Sequence, residues 1–214
     1  AHDHTTKNHT TQNQVFIGSP TIVKLPGGNI LTAADRFGKG NEGKPSNVSV
    51  FISKDNGETW QQTAWVLQQY WSNLFMVPSS PSPNRVYLLG TSGGGHGGIK
   101  ISSSDDGGHT WPVNASAMLF NATQQGYYAT GATPTLHASD GRIYRAMELF
   151  VPPYSWGRDF AAVVVSADAQ ADLLDPKSWT ISPPLAFNKS WIPSSWPALE
   201  NPGLRQRVVE WLRG

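Results

Sequence analysis

The chain has no cysteine, so disulfides and thiolate metal sites are excluded from the outset. Charge is also scarce. Charged residues make up 14% of the 214, against roughly 25% in an average domain. Sixteen basic side chains almost balance 15 acidic ones, and a net charge of +1 gives no bulk electrostatic reason to expect nucleic acid as a partner. No apolar run approaches the ~18 residues of a membrane-spanning helix, so no membrane insertion is expected. What is plentiful is glycine (21), proline (16) and tryptophan (9). That mix suits short strands, tight turns and aromatic packing rather than helices. Five N-x-[ST] triplets, at Asn8, Asn47, Asn114, Asn121 and Asn188, point to a secreted or extracellular glycoprotein, with Ala1 read as a mature N-terminus.

Residues 1–14 are polar and without periodicity, and read as a flexible arm. His2, His4 and His9 belong to that arm rather than to a metal site, and no metal or cofactor is expected. From residue 15 the chain repeats. Ser53-Lys54-Asp55-Asn56-Gly57-Glu58-Thr59-Trp60 returns as Ser104-Asp105-Asp106-Gly107-Gly108-His109-Thr110-Trp111, and both fit S-x-D-x-G-x-T-W with the tryptophans 51 positions apart. A degenerate third copy runs from Ser166-Ala167-Asp168 to Ser178-Trp179, with the glycine lost and an insertion gained. Strand-like stretches flank each copy: 21–25, 27–36, 48–53 and 63–67 around the first, 84–92, 98–104 and 117–120 around the second, 133–137, 140–149, 161–166 and 179–185 around the third. Units of about 50 residues with four strands are β-propeller blades. The expectation is an all-β propeller with blades at about 15–68, 69–123 and 124–188 and a fourth beginning near Lys189. Residues 204–214, with four charges in eleven, break the pattern as an atypical helix-like tail.

The box is read as a structural turn. A short Asp side chain accepts from nearby backbone amides, glycine supplies the positive-φ position, the Ser and Thr hydroxyls close the loop, and the Trp packs beneath, between neighbouring sheets. Ser53, Asp55, Gly57, Thr59 and Trp60, with Ser104, Asp106, Gly108, Thr110 and Trp111, are therefore assigned to architecture rather than to catalysis.

These boxes resemble the Asp boxes, or BNR repeats, of the sialidase (neuraminidase) superfamily. The stretches SPTIVKLPGGNILTAADRFG, RVYLLGTS, GRIYRAMELF and ADLLDPKSWTIS resemble sialidase-like proteins of glycan-degrading microbes, over about residues 15–203. The resemblance implies a propeller that is six-bladed when complete, of which this chain holds about three to four. It implies a glycoside hydrolase of exo-α-sialidase type, acting on terminal sugars of a glycan partner. In that superfamily the box sits between the third and fourth strands of a blade, away from the active site.

Strands of a blade alternate in direction, so the working face is the end opposite the boxes, where the loops at 36–47, 90–97, 148–160, 68–73 and 121–128 gather. Titratable and aromatic candidates there are Asp35, Arg36, Glu42, Tyr70, His96, Tyr127, Tyr128, Arg145, Glu148, Tyr154 and Arg158. Arg145 and Glu148 are three apart, so a regular strand sends them to opposite faces. Sialidase chemistry uses an arginine clamp on the substrate carboxylate, a tyrosine nucleophile and an acid for the leaving oxygen. The resemblance assigns Arg36 to the clamp, Glu42 to the acid and Glu148 to the base beside a tyrosine, with Asp35, Arg145 and Arg158 as further substrate-binding side chains. It departs at Gly18-Ser19-Pro20, where sialidases carry an Arg-Ile-Pro type motif.

Two other readings stay open. A propeller polysaccharide lyase acting on uronate-containing glycans would use His96, in the run Gly93-Gly94-Gly95-His96-Gly97-Gly98, with Tyr128 and Arg145. A non-catalytic glycan- or protein-binding propeller would use Trp71, Trp156, Trp191 or Trp196 to stack on sugars, although core packing is the favoured role for most of them. Oligomeric state is not legible. Two uncovered blade faces predict poor solubility of the isolated segment.

Overall fold

In a computed structural model, residues 16–37, 47–78, 82–93, 97–123, 126–131, 133–152, 160–186 and 188–191 are described. They form three antiparallel sheets. The first holds β1 (Phe16–Lys24), β2 (Ile30–Phe37), β3 (Asn47–Ser53) and β4 (Gln61–Leu67) in the order β1-β2-β3-β4. The second repeats that order with β5 (Tyr70–Phe75), β6 (Val86–Thr91), β7 (Ile99–Ser104) and β8 (Ser116–Phe120). In the third, β9 (Tyr127–Ala129) and β10 (Leu136–His137) share one edge of β11 (Arg142–Phe150). There β12 (Phe160–Asp168) follows, and β13 (Trp179–Ile181) and β14 (Leu185–Ala186) pair with its far edge.

The first two sheets are four-stranded meanders, the blade unit of a β-propeller, and the third keeps that plan with its first and last positions each split into two short strands. The sheets pack face to face through period-two alternation. On β2, Leu31 and Ala33 face the second sheet and join Val48, Val50 and Ile52 against Leu74, Val86 and Leu88. The opposite face of the second sheet gives Phe75, Leu89, Ile99 and Ile101 to a core with Ile143, Met147, Val163 and Val165 of the third. Full burial of one such aliphatic side chain stabilises by about 1.5–3 kcal/mol. Outer faces differ: Ile22, Trp65 and Leu67 on the first sheet and Val164 and Leu185 on the third are exposed.

Two strands differ from expectation. Residues 68–73 and 121–128 are read from the sequence as loops, whereas Tyr70–Phe75 is β5, the first strand of its sheet, and Tyr127–Ala129 is β9, too short to show alternation. A bulge between Tyr70 and Asn73 breaks the alternation that would have marked β5. The neighbouring Gln69 is buried, donating to the carbonyls of Leu88 and Lys100 (3.2 Å each) and accepting from Ser102 Oγ (3.1 Å). The arm at 1–14 and the tail at 204–214 lie outside the described residues.

Candidate functional site

The two intact boxes have the same internal geometry. Ser53 Oγ donates to Asp55 Oδ1 (2.8 Å) and accepts from the Gly57 amide (2.8 Å), and the Thr59 amide donates to Asp55 Oδ1 (2.9 Å). In the second, Ser104 Oγ donates to Asp106 Oδ1 (2.7 Å) and accepts from Gly108 (2.9 Å), and the Thr110 amide donates to Asp106 Oδ1 (2.9 Å). Hydrogen bonds from Thr59 and Ser53 hold the Asp55 carboxyl at about 2. At Asp106 burial pushes upward, but the Thr110, Ser104 and His109 donors outweigh it and leave it at about 2. These carboxylates are saturated with local donors, which is the signature of a turn. Both tight turns join the third and fourth strands of their sheets, which puts them at one end of the blades.

The other end gathers the last residues of β2, β6 and β11 and the first residues of β5 and β9. Register makes three positions equivalent there. Asp35 lies opposite Gly18, Thr91 opposite Tyr70, and Glu148 opposite Ala129. Asp35, only 1% exposed, shares the β2 face of Leu31 and Ala33 and so lies between the first two sheets. Its Oδ2 accepts the Trp71 amide (3.0 Å). On the other side of that residue, the Trp71 carbonyl accepts from Arg145 Nη2 (2.9 Å), which also reaches the Gly131 carbonyl (3.5 Å). Arg145, 1% exposed, shares the β11 face of Ile143 and Met147. The backbone of Trp71 is thus gripped at both its polar groups by side chains from two neighbouring blades.

Burial dominates the titration here. It raises Asp35 to about 7 against the Trp71 amide, the Ser19 hydroxyl and the Arg145 charge. It lowers Arg145 to about 9 although the Asp35 charge opposes it. Asp35 Oδ1 and Arg145 Nε and Nη1 have no hydrogen-bond partner among the described residues. A second polar tier lies one step along the same strands. Asn73 Nδ2 donates to Thr21 Oγ1 (2.9 Å), and Asn73 Oδ1 accepts from the amide (2.9 Å) and hydroxyl (2.8 Å) of Thr135. Both tiers tie three sheets together near their first strands.

The remaining candidates separate. Glu148 is half-buried, raised by burial, and on the β11 face opposite Arg145. Tyr128, raised by burial, donates its amide to the Gly97 carbonyl (2.9 Å). Tyr127 packs edge-on against Phe150 (4.8 Å between centroids). Arg36 does not join Asp35: it lies on the other face of β2, and its guanidinium sits 5.4 Å over the ring of Trp65, which is 55% exposed. Parity along the strand separates the two. Glu42, His96, Tyr154, Trp156, Arg158 and Trp196 lie outside the described residues. Among the described residues no group of three or more His, Asp or Glu side chains is placed to hold a metal ion. The sequence reading missed the joint role of Asp35 and Arg145 around Trp71; the one available signal was a charged residue at a core-facing position of each strand.

No family model and no curated protein matches the chain. Solved structures do. An α-L-arabinanase of Penicillium chrysogenum complexed with arabinobiose is 18% identical over 79% of this chain and 48% of its own, with a TM-score of 0.51. An α-L-arabinofuranosidase of Lactobacillus brevis is 16% identical over 86% of this chain and 61% of its own, at 0.56. A polysaccharide lyase, an ulvan lyase bound to GlcA(1-4)Rha3S, is 11% identical over 75% and 39%, at 0.53. At these identities the likeness is one of fold, and the chain spans about half the length of the arabinanase.

Proposed function

We propose that this chain supplies blades of a propeller glycoside hydrolase that acts on uncharged sugars of an oligosaccharide. One observation carries the reading: carboxyl and aromatic residues stand at the strand ends opposite the boxes, with Asp35, Tyr70 and Trp71 grouped where the first two sheets meet and Tyr128 and Glu148 at the same end of the third. Its support from outside is the recurrence of glycan enzymes among proteins of the same fold. Glu148 is the carboxyl for proton transfer, since burial raises it toward the range an acid needs while leaving it half-open. Glu42, which lies outside the described residues, is the candidate for the second carboxyl.

The finer reading, an exo-sialidase, rests on the Asp boxes and on the resemblance of the flanking strands. It needs an arginine clamp on a carboxylate. Arg145 is committed to the Trp71 and Gly131 carbonyls and Arg36 lies over Trp65, which leaves Arg158 for that task and favours an uncharged sugar. The lyase reading draws on a different observation, the hydrogen bond from the Tyr128 amide to the carbonyl of Gly97, the residue that follows His96 in sequence. Titrating the chain with arabinobiose, sialyllactose and a uronate oligosaccharide separates the three. Saturable binding of arabinobiose is expected; sialyllactose alone would shift the assignment to the sialoside, and an unsaturated uronate product to the lyase.

A further inference from the structure

Trp71 has a backbone conformation that its side chain does not favour. Its φ is +46°, in the left-handed region where a bulky residue is an outlier. The cause is local and repeated. β1 and β5 both bulge at the same level, between Gly18 and Thr21 and between Tyr70 and Asn73, and Ser19 in the first bulge has φ +48°. The bulge therefore requires a positive φ, and Gly, Asn or a small residue meets that requirement at least cost. A tryptophan there is not what the backbone selects.

The surroundings hold it nonetheless. Asp35 takes its amide and Arg145 its carbonyl. Gly90 lets the bulge press onto β6, since a Cβ there would lie 2.2 Å from Ser72 Oγ and 2.4 Å from the Tyr70 carbonyl. Strain of this kind persists where the neighbours over-determine it, and it concentrates at ligand sites. The indole packs against Tyr70 (4.6 Å between centroids), itself 5.6 Å from Phe37, at the loop-bearing end of the first strand of its blade. As a residue Trp71 is neither fully buried nor fully exposed, so part of its surface reaches solvent.

We propose that Trp71 is a sugar-stacking platform at this end of the blades, and that Asp35 and Arg145 are its positioning residues, acting through its peptide groups from the two adjacent blades. An indole face matches the C–H face of a furanose or pyranose ring, and a platform fixed by two blades binds without an ordering cost. This inference rests on the glycan reading above and adds the residue that would recognise the ring.

The test is calorimetric titration of the chain with arabinobiose, each variant being checked by its melting curve. Trp71→Ala is expected to weaken binding about tenfold, the upper range for an aromatic stack, while Trp71→Tyr retains a ring and stays within about threefold. Asp35→Leu, which removes the acceptor for the Trp71 amide, weakens binding, and Asp35→Asn, which keeps one, restores it. A merely structural Trp71 would lower the melting temperature and leave the affinity of the folded fraction unchanged, which overturns the inference alone. Should Trp71→Ala fail to fold, the affinities of Trp71→Tyr and Asp35→Asn, together with an arabinobiose-dependent shift of the Trp71 indole N–H in the unmutated chain, decide. If the unmutated chain binds arabinobiose with no such shift, the platform is wrong and the glycan reading stands. If it binds none of the three oligosaccharides, both fall.

Discussion

The two Asp boxes share a sequence and a hydrogen-bond pattern but not a neighbourhood. In the second, Trp111 packs against the core between the first and second sheets and its indole donates to the Gly108 carbonyl (3.2 Å). That carbonyl also accepts from Thr63 of the first sheet (2.9 Å). In the first box, Trp60 was expected to pack beneath its turn between two sheets, and instead it is 42% exposed. The reason is topological: each box Trp packs toward the preceding blade, and no sheet precedes the first among the described residues. Trp179, at the place of the third box, obeys the same rule and is 5% exposed, its indole donating to Leu173. The turn is thus a local device and the tryptophan an inter-blade one.

Matched substitutions can break that comparison. The largest difference is expected between the box glycines. A Cβ on Gly108 would meet both Leu31 methyl carbons at 2.6 Å, and its φ is +89°, so Gly108→Ala should cost about 3 kcal/mol or more from overpacking and strain together. Gly57 has φ +96° but only Trp60 Cζ2 nearby, at 3.7 Å, so Gly57→Ala should cost about 1–2 kcal/mol. Denaturant melts of the two variants give the difference directly. Next come the tryptophans: Trp111→Ala should destabilise by about 3 kcal/mol, and Trp60→Ala by under about 1 kcal/mol. Equal costs would mean that the first blade is covered in solution.

Smaller effects lie in pH. Asp35 is raised from the ordinary 3.8 to about 7, so the folded state holds this proton more tightly than the unfolded chain. Stability should therefore fall as pH rises from about 4 to about 7, and Asp35→Asn should flatten that part of the curve. Smallest is the acid limb. With Asp55 and Asp106 both held at about 2, stability is lost as pH falls from about 4 to about 2. Thr59→Val and Thr110→Val should diminish that loss alike, because this part of the box does not depend on the neighbouring blade.

Much of the fold was legible because period-two alternation and a fixed turn recur together. β2, β3, β6, β7, β11 and β12 follow from that pattern. β5 was not legible, since its bulge places Trp71 and Ser72 out of phase. The third box was only half legible. Its insertion is built from three short turns in which Asp168, Asp172 and Asp175 accept the amides of Gln170, Leu174 and Lys177, replacing the Ser–Asp–Thr closure. At the site, parity placed Arg145 and Glu148 on opposite faces, but contacts between blades cannot be read from one strand. That is why the grip of Asp35 and Arg145 on Trp71 emerged only from coordinates.

The proposal that the box end is scaffold and that sugar binds at the opposite end is decided by amide chemical-shift mapping of the labelled chain with arabinobiose. Shifts are expected to cluster at Asp35, Tyr70, Trp71, Thr91, Tyr128 and Glu148, with Asp55, Gly57, Asp106 and Gly108 unmoved. Shifts centred on the boxes, or none at saturating sugar, would contradict it.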